Sequence, residues 1–90
     1  MNLARINERM SNLDGWSLEG ECMVKDYEFK DFKEALDFVN KAGEIAEKHK
    51  HHPSITLDYN RVRLILTTHE ERGLSEKDFN VAEDIDKIGK

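Results

Sequence analysis

Apolar residues recur along the chain with two different periods, and the switches between them divide it into seven elements. Leu3, Ile6, Met10 and Leu13 fall three or four apart and predict a short first helix. Asp14-Gly15 then breaks it. Trp16 and Leu18 alternate with Ser17 and Glu19 as in a strand. Met23, Tyr27 and Phe29 share odd positions, with Lys25 interrupting, and predict a second strand pairing back across Gly20-Glu21. A long helix follows. Asp31 with Glu34 resembles a capping box with Asp in the cap, and Phe32, Ala35, Leu36, Val39, Gly43 and Ala46 hold one face to about Lys48. Pro53 disfavours helical geometry at His52 and stops the helix before it. Ile55, Leu57 and Tyr59 alternate, as do Val62, Leu64 and Leu66, with Asn60-Arg61 as a two-residue turn because Asn tolerates positive φ. Gly73 punctuates. Ser75 with Asp78 resembles another capping box, opening a last helix whose apolar residues are Phe79, Ala82, Ile85 and Ile88.

The order α-β-β-α-β-β-α predicts an α+β fold, a four-stranded antiparallel sheet with helices on one face. No repeat, low-complexity tract or linker interrupts it, so residues 1–90 are expected to form one domain. The edge strands of so small a sheet are exposed, and pairing with another subunit would protect them.

Composition narrows the function classes. A chain of 90 residues buries only about 60–65% of its unfolded surface, so its stability alone is marginal. Cys22 is the only cysteine, which excludes a disulfide within the chain and predicts a reducing, cytoplasmic setting. The segment Met1-Asn2-Leu3-Ala4-Arg5 lacks the apolar region of a secretory signal. No apolar run approaches the roughly 18 residues that span a membrane, so no membrane partner is expected. The net charge of −5 argues against nucleic acid as a direct partner. It leaves protein partners and small ligands open.

All four histidines lie between His49 and His69, three of them in His49-Lys50-His51-His52-Pro53 where the long helix ends. Imidazoles titrate near neutral pH, so such a cluster suits proton transfer. It also suits a solvated helix C-terminus, where cations favour the macrodipole. A metal reading would draw on Glu47, His51 and His69, but no zinc-type signature is present and none is predicted. His69 ends a strand in Thr67-Thr68-His69, a common place for an ordinary surface residue. Asp78, third in its helix, equally suits a helix N-terminus.

The spacing narrows these alternatives. Glu47, three residues, His51-His52-Pro53, five residues, Tyr59, nine residues, His69, eight residues, Asp78: this resembles the pterin-4a-carbinolamine dehydratase signature throughout. Phe29-Lys30-Asp31-Phe32, Ala46-Glu47-Lys48, Tyr59-Asn60-Arg61-Val62 and Gly73-Leu74-Ser75-Glu76-Lys77-Asp78 also resemble that family, from about Trp16 to Ile88. The resemblance implies loss of water from a 4a-hydroxytetrahydropterin to give the quinonoid dihydropterin, which recycles the cofactor of aromatic amino acid hydroxylation. It implies subunits joining sheets into homodimers, often paired into homotetramers, and no cofactor. By matching position it makes His51, His52 and His69 the catalytic histidines. His51 and His69 become the acid–base pair, and His52 positions the pterin. Glu47, Pro53, Thr68 and Asp78 would line the substrate site, with Asp78 orienting a histidine or holding the site's helix. His49 lies outside the signature and reads as a solvated helix end.

The sequence departs from the animal members at Lys50, where an acidic residue often stands, and at Ile55, where tryptophan often stands two residues after the proline. By the resemblance, that ring would be an apolar wall for the pterin, so Ile55→Trp would tighten binding. Two further readings share the fold: an enzyme on another pterin, for example a molybdopterin-related compound, and a dimerisation or binding module without turnover.

Overall fold

The structure of the protein is a computed structural model that describes residues 1–88. Its elements are α1 (Leu3–Met10), β1 (Ser17–Glu19), β2 (Cys22–Glu28), α2 (Phe32–His49), β3 (Ser54–Asp58), β4 (Arg61–Leu66), a short 3-10 turn (His69–Glu71) and α3 (Glu76–Asp86). The strands form one antiparallel sheet in the order β1-β2-β4-β3. The architecture is therefore the α+β arrangement expected from the two periodicities. No helix among the described residues is long and apolar enough to cross a membrane.

Strand register divides the sheet into two faces. Met23 pairs with Leu66, Tyr27 with Val62 and Ile55 with Leu64 on the face that meets the helices. Asp26 pairs with Arg63, and Ile65 lies between Val24 and Ser54, on the other face. Met23, Leu64 and Leu66 are fully buried with Phe79 and Ile85 of α3. Lys25, which interrupts the apolar alternation, occupies an inward position opposite Leu64. Its ammonium donates to Asp86 at 3.1 Å and to the Asp14 carbonyl at 2.6 Å, so the charge is paired where it enters the core edge. The Trp16 indole N–H donates to the same Asp86 oxygen at 3.0 Å.

In α2 the buried residues are Ala35, Phe38, Ala42 and Ala46, a stripe rotated from the one the sequence suggests. Phe32 and Leu36 are 45% and 37% exposed. The rotation follows from packing. The Phe38 ring sits 4.4 Å from Tyr27 and 5.1 Å from Phe29 between centroids, and the alanines let the helix approach the sheet. Asp31 caps the helix by accepting from Glu34 N–H at 2.9 Å. Glu34 reaches back to Lys30 N–H at 3.1 Å, one residue earlier than a capping box requires.

The hairpin turn is also shifted by one. Arg61 is already paired with Asp58, so the turn is Tyr59-Asn60, and Tyr59 takes the left-handed conformation at φ +51°. The sequence places the turn at Asn60-Arg61 because Asn favours positive φ. In the fold Asn60 instead clamps the turn to β2. Its side-chain amide donates to the Phe29 carbonyl at 2.9 Å, and its own carbonyl accepts from Phe29 N–H at 2.8 Å.

Candidate active site

Helix α2 ends because Lys50 turns left-handed, at φ +53°, which lets His51 N–H reach the Ala46 carbonyl at 3.1 Å. The reversal precedes Pro53, which then carries the chain into β3. At the other side of the site, Thr68 and Gly73 exchange backbone hydrogen bonds of 2.9 and 3.3 Å. That closure holds the 3-10 turn, which begins at His69.

Between these two turns lies an open cleft of about 440 Å³. His51, His52 and His69 line it, with Cys22, Ser54 and Ile65 from the sheet, Thr67 just past the end of β4, and Lys50 and Glu70 from the turns. The structure thus brings the three signature histidines, from two distant stretches of sequence, to one cavity.

Their second-layer partners differ. His51 is 14% exposed, and its Nε2 bonds Asp78 Oδ1 at 2.6 Å. Asp78 is fully buried. A buried carboxylate is tolerable only when its oxygens are satisfied, and here they are. Oδ2 accepts from the Thr68 hydroxyl at 2.7 Å and from Ser75 N–H at 3.0 Å. The Thr68 and Ser75 hydroxyls are bonded to each other at 2.7 Å. The box expected at Ser75 and Asp78 therefore both opens α3 and holds a histidine. His52 Nε2 bonds Glu47 Oε2, two exposed groups that the reversal at Lys50 brings together. His69 has no side-chain partner among the described residues and stands exposed.

The other expected site residues divide by depth. Thr68 is 2% exposed, and its hydroxyl is consumed by Asp78 and Ser75, so the side chains of Thr68 and Asp78 stand behind His51 and outside the cleft. Glu47 reaches the cleft through His52, and Pro53 shapes the chain between His52 and Ser54. His49 is not a solvated helix end. It is half-buried, and its Nε2 bonds Asp84 Oδ2 at 2.6 Å. That bond is the main reason the Asp84 carboxyl lies below its ordinary pKa. Ile55 does not face the cleft. It pairs with Leu64 on the helix-covered face and packs against the core.

Sequence reasoning missed Thr67, Ser54 and Ile65. One signal was available: along Arg61, Arg63 and Ile65 the outward register of β4 switches from charged to apolar where the cleft begins.

These features define a small α+β protein built around an imidazole-lined cleft. The sequence profile of the family described as pterin 4 alpha carbinolamine dehydratase matches residues 1–88, and the chain belongs to that family. A protein of Trichormus variabilis is 49% identical over 85 residues, 94% of this chain and 91% of that one. A protein of Thermomicrobium roseum is 47% identical over 79 residues, 88% of this chain and 85% of that one. Both carry provisional pterin-4-alpha-carbinolamine dehydratase names. A solved structure described as a transcriptional coactivator/pterin dehydratase from Brucella melitensis superposes with a TM-score of 0.93 at 37% identity, covering 100% of this chain and 98% of that one.

Proposed function

We infer that the chain, as a member of this family, is a hydro-lyase acting on a pterin carbinolamine. We propose that its substrate is 4a-hydroxytetrahydrobiopterin, that the product is the quinonoid dihydropterin, and that the reaction serves cofactor recycling in the cytoplasm. His51 and His69 act as the acid–base pair, and His52, braced by Glu47, positions the pterin. Asp78 and Thr68 hold His51, and Pro53 fixes the path of the chain between His52 and β3. The observation that carries this reading is the convergence of His51, His52 and His69 on one cleft.

The chemistry matches those groups. The 4a oxygen must leave as water, so an acid protonates it while the neighbouring ring nitrogen supplies electrons. A base then takes a ring N–H proton. Imidazoles exchange protons in both directions near neutral pH. The reading includes no metal or cofactor, because the ring nitrogen drives the C–O cleavage and the protein has only protons to move.

We also propose that the chain works as a homodimer or homotetramer. The short β1 covers β2 only from Cys22 to Val24, so no described strand lies beside residues 25–28 on that edge. The exposed Phe32 and Leu36 on α2 offer a second contact. A native mass of only 10.5 kDa at micromolar concentration would overturn this part.

Direct assay of purified protein with 4a-hydroxytetrahydrobiopterin tests the substrate. Dehydration well above the uncatalysed rate is expected. A rate equal to background, with turnover of a different pterin carbinolamine, would overturn the assignment.

A further inference from the structure

We propose that His51 works through Nδ1, and that Asp78, held by Thr68 and Ser75, is the positioning residue that fixes this choice. The proposal rests on the catalytic reading of His51 above and adds which nitrogen reacts and what sets it.

The argument is one of hydrogen-bond polarity. An ionised carboxylate only accepts. Asp78 Oδ2 accepts from the Ser75 backbone N–H, which cannot do otherwise, and from the Thr68 hydroxyl. Thr68 has one proton and gives it to Asp78, so the 2.7 Å contact between the two hydroxyls runs from Ser75 to Thr68. The chain of donors therefore ends on the carboxylate, whose remaining contact is Oδ1 with His51 Nε2 at 2.6 Å. Nε2 must carry the proton. In neutral His51 the lone pair is then on Nδ1, a nitrogen with no hydrogen-bond partner among the described residues, on a ring that lines the cleft. Asp78 is fully buried and Ser75 is 6% exposed, so water does not compete for these contacts.

Asp78→Asn separates positioning from folding. The Thr68 hydroxyl and Ser75 N–H both need an acceptor, so they select the amide oxygen and stay satisfied. The amide NH2 is then left against His51 Nε2. An NH2 donates, so Nε2 must accept, and the proton moves to Nδ1. The variant keeps its shape and presents the wrong tautomer to the cleft.

The test is ¹⁵N NMR of histidine-labelled protein at a pH where His51 is neutral, with kcat measured alongside. Wild type is expected to carry its proton on Nε2. Asp78→Asn is expected to move it to Nδ1, with kcat lowered by about 10²–10⁴-fold, the range of a positioned acid–base group, and a near-native circular dichroism spectrum. Thr68→Val should lower kcat about tenfold with KM kept, and Thr68→Ser should restore it. A wild-type proton on Nδ1, or an unchanged tautomer in folded Asp78→Asn, would overturn the proposal. The wild-type spectrum needs no variant to fold. A reversed tautomer with an inactive His51→Gln would sink the polarity and leave the catalytic reading standing. The expected tautomer with wild-type kcat in His51→Gln would sink the catalytic reading, and any action through Nδ1 with it.

Discussion

His49 and Asp84 join the last turn of α2 to α3, imidazole Nε2 to carboxylate Oδ2 at 2.6 Å. The tie sits two residues before His51, at the helix end from which the cleft histidines depart.

Its titration gives a sign. The hydrogen bond from His49, helped by Lys87, lowers the Asp84 carboxyl from its ordinary range. A carboxyl lowered by folding contributes stability above its unfolded pKa, about 3.9, and loses it as pH falls through the lower folded value. His49→Ala should therefore cost about 0.2–1 kcal/mol at neutral pH, the range for a partly exposed pair. The difference from wild type should shrink as pH falls below about 4. Urea denaturation at pH 7 and pH 3 checks this. An equal deficit at both would show that the bond to Asp84 is not the cause.

Ile55→Trp should leave KM for the pterin unchanged. Its side chain shares the inward face with Leu64, on the opposite side of the sheet from Ile65 and Ser54. The larger ring must displace core neighbours, at a cost of about 1–3 kcal/mol. Steady-state kinetics and a thermal melt give both answers. A lowered KM would place Ile55 in contact with the ligand.

Much of this was legible in the sequence because it depends on local rules. Periodicity separates helix from strand, and the Asp31 and Ser75 caps mark two helix starts. The errors arose where tertiary contacts decide. Tyr59 takes the strained turn position because Asn60 is held by Phe29, which nothing local reveals. The α2 stripe turns towards Phe38 because Tyr27 and Phe29 wait on the sheet. The histidine spacing pointed to the cleft, but the depth of Thr68 and Asp78 behind His51 appears only once α3 packs against β4.

Tyr59→Asn should stabilise the protein by about 0.5–1 kcal/mol. A non-glycine residue at φ +51° is strained, and Asn tolerates that region better. Tyr59 is 65% exposed, so little buried area is lost. An increase in the urea midpoint without a change in slope is expected. A lower midpoint would mean that the phenol ring packs more than its exposure suggests.

Arg9→Ala should detach α1 in part. The Arg9 guanidinium bonds Glu76, Asn80 at 3.1 Å and Glu83 at 3.0 Å, and lies 5.3 Å from the Phe79 ring centroid. No residue of α1 is buried, so these contacts, the Arg5–Glu76 pair at 2.8 Å and the half-buried Ile6 and Met10 hold it. A loss of about 1–2 kcal/mol is expected from several coupled charge contacts. Faster amide exchange in residues 3–10 than in α3 would show where the loss falls. Uniform acceleration across the fold would contradict it.

The central claim is that two imidazoles act on one transition state. Its most direct measurement is kcat for dehydration of 4a-hydroxytetrahydrobiopterin by His51→Gln, His69→Gln and the double variant, corrected for the uncatalysed rate and run with a chelator present. Each single replacement is expected to lower kcat by about 10²–10⁴-fold. The double replacement should cost far less than the product of the singles, because the groups work as a unit. Wild-type kcat in either folded single variant, or loss of wild-type activity to the chelator with recovery on adding zinc, would contradict the account.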